Sequence, residues 1–204
     1  MKKIILYISL LIMAVPFFVA AQQTVKEPST EKLFPAEVKF KFADKDYSLT
    51  LTGLTVRKKF FFKVYGMAHY MQDAAKLGNE ADAFKQVLTD GKAKQITMDF
   101  SRDVDAEKIK GAYTDGFKEH ASKEELQKIQ PMIDKFTGYF TKEVKENEQF
   151  ILRWLPGGTV VAILQGEEKP AITDELFART LWSIWFGKSS IVDRDDLVER
   201  IVGK

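Results

Sequence analysis

Residues 150–155 and 159–164 are two apolar runs joined by Pro156-Gly157-Gly158, and that arrangement leaves the chain little freedom. Adjacent glycines supply the positive φ angles of a tight turn, so flanking runs of Phe, Ile, Leu, Trp and Val pair antiparallel. The alternation of a half-buried strand recurs in Val38-Lys39-Phe40-Lys41-Phe42 and in Tyr47-Ser48-Leu49-Thr50-Leu51-Thr52, with the turn Ala43-Asp44-Lys45-Asp46 between them. It recurs again in Gln95-Ile96-Thr97-Met98-Asp99-Phe100. Gly53-Leu54-Thr55-Val56-Arg57 leads into a long β-rich run over 60–71.

Helical periodicity interrupts these strands. A short helix is expected over 79–88, ended by Asp90-Gly91, and a longer one over 103–121 with Ile109, Ala112, Tyr113 and Phe117 on one stripe. Ser122-Lys123-Glu124-Glu125 reads as a capping box for a third, with Pro131 expected to kink it. Its stripe is Leu126, Ile129, Ile133, Phe136 and Phe140. A helix over 173–186 and a terminal one over 193–202 complete the chain. Strands, helices, strands and helices in that order define an α+β class: a mostly antiparallel sheet with helices on one face.

The N-terminus carries a different signal. Lys2 and Lys3 precede an uncharged stretch over 4–21, and Val19-Ala20-Ala21 offers small residues before Gln22. This reads as a cleavable secretory signal over 1–21, followed by a flexible polar leader over 22–35 and one domain over 36–204. The uncleaved alternative is an anchor helix. The expected location is periplasmic or secreted, with no membrane span once the signal is removed. The chain has no Cys, so neither a disulfide framework nor a lipid-anchored N-terminus is available. Removing Lys2 and Lys3 leaves basic and acidic side chains in equal number, which argues against a nucleic-acid partner.

Common catalytic constellations are missing. With no Cys, two His at 69 and 120, and no paired metal-ligand spacing, the sequence points to no cofactor, metal or catalytic residue. Asp193 to Asp196 reads as the acidic start of a helix, and His69 as a strand residue. The stretch over 53–70 instead sets Arg57, Tyr65 and Tyr70 among large apolar residues. A planar guanidinium beside an apolar pocket suits one carboxylate or phenolate, and a phenol can complete such a site. The alternative from the same residues is that Arg57 snorkels from a sheet edge while the tyrosines fill core.

Three segments in order resemble the chalcone-isomerase-like fold group: Gly53-x-x-x-Arg57 with Val64-Tyr65 and Tyr70; the hairpin Phe150-Ile151-Leu152-Arg153-Trp154 with Gly158-Thr159-Val160; and Leu181-Trp182-Ser183-Ile184-Trp185-Phe186-Gly187-Lys188 before a terminal segment with Leu197. The group holds plant chalcone isomerases, fatty-acid-binding relatives and many non-catalytic bacterial members, and the resemblance covers residues 36–202. It implies that Arg57 meets a ligand's anionic oxygen and that Tyr65 pairs with it, as in the fatty-acid-binding relatives. Plant isomerases have Thr at the position of Tyr65. Their catalytic Asn falls near Ala112 here, and their Ser or Thr near Ile184; a slip of one residue brings in Tyr113 or Ser183. Arg57, Tyr65, Tyr70 and Tyr113 are therefore the candidate ligand-binding residues.

The implied function is non-catalytic binding of a small apolar anion, a fatty acid or similar lipid carboxylate, in a cleft. The alternatives are an isomerase of the intramolecular lyase type, with Arg57 stabilising an oxyanion, and a structural or interaction module in which Trp182, Trp185 and Phe186 pack core or a partner. Eight residues of straight strand would separate Arg57 from Tyr65 by about 26 Å. A shared ligand therefore requires the chain to bend or reverse between Lys58 and Phe62.

Overall fold

A computed structural model describes residues 23–74 and 76–203, so the expected signal over 1–21 lies outside the described residues. Two short strands, β1 (Thr24–Lys26) and β2 (Leu33–Pro35), pair with each other. They are followed by β3 (Glu37–Phe42), β4 (Lys45–Lys59) and β5 (Phe62–Met71). Helix α1 (Glu80–Val87) and strand β6 (Lys94–Phe100) lead to α2 (Ala106–His120) and α3 (Lys123–Thr137). The hairpin β7 (Gln149–Leu155) and β8 (Thr159–Leu164) follows, then β9 (Glu167–Glu168), β10 (Ile172–Thr173) and α4 (Glu175–Phe186). The main sheet runs β10-β8-β7-β6-β5-β4-β3 with β9 beside β8, and all its pairings are antiparallel.

Local chemistry accounts for most of these boundaries. The Ser122 hydroxyl accepts the Glu125 N–H at 3.2 Å while the Glu125 carboxylate accepts the Ser122 N–H at 2.9 Å, a reciprocal cap that starts α3. The helix runs through Pro131 to Thr137. Gly157 and Gly158 take φ of 85° and 71° in the β7–β8 turn. The Asp90 carboxylate clamps that turn, accepting the N–H groups of Gly157 at 2.8 Å and Gly158 at 3.1 Å and the Trp154 indole N–H at 2.9 Å.

Alternation along the strands divides the interior in two. One face of the sheet meets α2, α3 and α4 through Met67, Met98, Phe150, Phe117, Phe136 and Trp185, among others. The other face carries a smaller cluster, including Tyr47, Leu49, Leu51, Ala68 and Tyr70, closed by Phe34 of β2. The Arg153 guanidinium of β7 lies 3.8 Å from the Phe40 ring centroid of β3. Strands four positions apart in a flat sheet would stand about 19 Å from each other, so the sheet curls toward the smaller cluster. The helices therefore cover its convex side.

Three sequence expectations change. Residues 24–35, read as part of a flexible leader, form the β1–β2 hairpin, because burial of Phe34 against the sheet outweighs the polar composition around it. The β-rich run expected over 60–71 starts at Phe62 instead, because Phe60-Phe61 form the reversal between β4 and β5. Residues 193–202 form successive turns where a helix was expected. There the Arg200 N–H donates to the Thr52 carbonyl at 3.0 Å, and the Thr52 hydroxyl donates to the Leu197 carbonyl at 2.8 Å. Tertiary partners at β4 take the backbone groups that a helix would have paired internally. Among the described residues, no helix is long and apolar enough to cross a membrane.

Candidate functional site

The reversal at Phe60-Phe61 brings Arg57 opposite Tyr65 across the β4–β5 pairing. Directly paired residues stand about 5 Å apart at Cα and share a face, so the two side chains meet without any bend in the strand axis. That face is the convex one, and the space between it and helices α2 and α4 holds a cavity of about 590 Å³. This is within the range of small-molecule sites. Arg57 and Tyr65 line it from the sheet; Ala112, Tyr113 and Ile184 line it from the helices.

Charged side chains, among them Lys59, Arg102, Lys108, Asp115 and Glu119, line the cavity together with Arg57 and the two phenols. Arg57 donates from one terminal nitrogen to the Ile191 carbonyl and forms no ion pair with any described residue, so the rest of its fork can serve an anion. The Tyr65 oxygen accepts the Trp185 indole N–H at 3.1 Å, which leaves its own O–H to donate. Burial pushes the Tyr65 phenol above its usual value, against the opposing effects of the Trp185 hydrogen bond and the Arg57 charge. The Tyr113 phenol is pushed further up, by burial first and then by its proximity to Tyr65. Both phenols therefore stay protonated near neutral pH and act as hydrogen-bond donors.

Tyr70 does not belong to this site. It lies five residues from Tyr65 on the same strand, and an odd separation places it on the opposite face. There it is fully buried in the smaller cluster, and its hydroxyl has no partner among the described residues. Strand parity alone carried this information. His69 is also buried away from the cavity, its Nδ1 2.6 Å from the Thr52 hydroxyl. The Thr52 O–H donates to the Leu197 carbonyl, which leaves its oxygen to accept from the His69 Nδ1–H. Burial, helped by the Lys94 charge, pulls the imidazole down to about 3.

Several lining residues have no signal in the sequence. Trp185, which reads as helix core, orients the Tyr65 phenol. Met98, Phe100 and Phe150 come from strands remote in the chain. His120 lines the cavity with Nδ1 2.9 Å from the Gly116 carbonyl, and its Nε2 has no partner among the described residues. No group of three His, Asp or Glu side chains among the described residues is placed to hold a metal.

An antiparallel sheet packed against helices, with an aromatic cavity between them that Arg57 and two protonated phenols line, defines an α+β fold. The family model described as chalcone isomerase-like matches residues 33–201, and the chain belongs to that family. A solved structure of an Arabidopsis thaliana fatty-acid binding protein shares the fold with a TM-score of 0.69. The two are 17% identical, over 88% of this chain and 97% of that one. No curated protein matches. The positions that the resemblance aligns with polar residues of plant isomerases, Ala112 and Ile184, face the cavity with hydrocarbon.

Proposed function

We propose that this protein binds a small apolar anion, a fatty acid or similar lipid carboxylate, without catalysing a reaction on it. The observation that carries the reading is the pairing of Arg57 with Tyr65 at an aromatic cavity, with no acidic side chain bonded to the guanidinium. The carboxylate receives two parallel hydrogen bonds from Arg57 and one from Tyr65 or Tyr113, while the acyl chain lies among Met98, Phe100, Phe150 and Ile184. Each buried CH₂ contributes about 0.8 kcal/mol, so the chain supplies affinity and the head-group residues fix orientation. The name of the Arabidopsis relative supports the same ligand class. Native mass spectrometry of protein purified from its own host tests it: one co-purified acid per chain is expected, and ligand-free protein would count against the proposal.

An isomerase needs a polar group to steady developing negative charge and another to handle the proton. With Ala112 and Ile184 in the cavity wall, a hydroxylated chalcone should show no enzyme-dependent cyclisation by absorbance. A turnover of about 1 s⁻¹, ordinary for an enzyme, would reverse the non-catalytic assignment.

We also propose export, on the strength of Lys2-Lys3, the uncharged stretch over 4–21 and Val19-Ala20-Ala21. Terminal sequencing of the protein from the host's envelope should begin at Gln22. A chain beginning at Met1 and retained in the membrane would refute it.

A further inference from the structure

The β4–β5 hairpin tip reads Lys58-Lys59-Phe60-Phe61-Phe62-Lys63. Its three phenylalanines are 85%, 98% and 59% exposed, although a large aromatic side chain gains most by burial. Phe60 also takes φ 55°, a left-handed conformation that hairpins usually give to Gly, Asn or Asp. The tip therefore spends backbone energy to hold apolar rings in water, and no ring or cation contact among the described residues accounts for Phe60 or Phe61. Lys58, Lys59 and Lys63 flank the rings with no acid among the six residues, and none of the three forms an ion pair with a described residue. Phe60 and Phe62 stand at the mouth of the cavity, where the Arg102 guanidinium lies 4.9 Å from the Phe62 ring centroid. From α2, Asp115, Glu119 and Lys108 line the cavity, whereas the hairpin contributes Arg57 and Lys59 and no acid.

We propose that this tip docks the protein on an anionic lipid bilayer, with Phe60, Phe61 and Phe62 entering the interface and the three lysines meeting lipid phosphates. Exposed aromatic rings among lysines match the two attractions that hold peripheral proteins at such an interface, apolar burial and charge. Docked this way, the cavity mouth opens against the membrane, and an apolar anion passes between bilayer and cavity without crossing water. That purpose rests on the ligand reading above; the docking rests on the tip alone.

The test is co-sedimentation of the host-purified protein with phosphatidylglycerol-containing vesicles, using wild type, Phe61→Ser and Lys58→Glu with the same N-terminus. Neither substituted residue lines the cavity. Wild type is expected to sediment with anionic vesicles and to be released by about 0.5 M salt, where screening shortens to a few ångströms. Phe61→Ser is expected to lower partitioning about tenfold, the loss of one ring from the interface. Lys58→Glu is expected to lower it about fivefold or more, through charge reversal at the surface. All three are expected to bind oleate equally in vesicle-free solution. Wild type left in the supernatant, or variants that sediment like wild type, overturns the docking even if oleate binds. Concentration-dependent self-association abolished by Phe61→Ser, without sedimentation, overturns it in favour of a protein–protein contact. Vesicle docking lost in both variants, in a protein that never binds oleate, upholds the docking and removes the cavity reading alone.

Discussion

Arg57→Ala weakens binding of a long-chain fatty acid by about 2–5 kcal/mol, the range found when one partner of a desolvated charge pair is removed. The size follows from the neighbours. Arg57 is the cation that faces Tyr65 across the hairpin, and the side chains around the pair are largely hydrocarbon or neutral phenol. Without it, a carboxylate beside Tyr65 keeps the phenolic donors but loses the cation paired with that tyrosine across the hairpin. Tyr65→Phe removes one neutral donor to a charged acceptor, so a smaller loss of about 1.5–3 kcal/mol is expected. Neither change should unfold the domain. Arg57 is half-exposed and gives up one hydrogen bond, to Ile191, while Tyr65→Phe keeps the ring in the core. Tryptophan fluorescence reads the outcome, because Trp185 donates to Tyr65 and lines the cavity. Equal affinities for wild type and Arg57→Ala would show that the head group sits elsewhere.

Gly53→Ala is the second large effect, and it acts on stability. A Cβ at Gly53 would lie 2.0 Å from the Asp196 carbonyl oxygen and 2.4 Å from the Leu197 carbonyl carbon, both backbone atoms that no rotamer change can move. The C-terminal segment would have to lift from β4, losing the Arg200 bond to Thr52 and the burial of Leu197, Val198 and Ile201. Even partial displacement costs about 3 kcal/mol or more. For a domain of this size that lowers the melting temperature by about 6–12 °C. The disturbance also reaches the site, since Ile191 supplies the carbonyl that holds Arg57. Gly111→Ala gives the opposite sign. It lies within α2 with open space where a Cβ would go, so a gain of up to about 1 kcal/mol is expected. Thermal unfolding of the two variants compares them directly; a Gly53→Ala protein as stable as wild type would mean that the terminal segment does not rest on β4 as described.

The regular elements were legible wherever a local rule decides. The Ser122 capping box, the Gly157-Gly158 turn and the alternation in β3 and β6 each name their structure in the residues alone. Legibility failed where a distant contact overrides the local preference. Phe60-Phe61 carries none of the usual turn residues, so three consecutive phenylalanines read as strand; pairing of β4 with β5 imposes the reversal. Residues 193–202 have a helical pattern, but Thr52 and the bare backbone at Gly53 offer them better partners. Arg57 and Tyr65 were identifiable as a pair only with the fold resemblance in hand, and their apparent separation vanished with the hairpin. Tyr70 was misplaced for want of a parity count. Trp185 and His120 join the cavity through packing between strands and helices far apart in the chain, which periodicity does not report.

The central claim is that the cavity holds a long-chain carboxylate, and calorimetric titration of delipidated wild-type protein with oleate tests it most directly. Saturable binding of one oleate per chain is expected, with a negative heat-capacity change from burial of the acyl chain. Absence of saturable heat, with the domain still folded, would contradict the ligand class itself and leave the family fold as an interaction module.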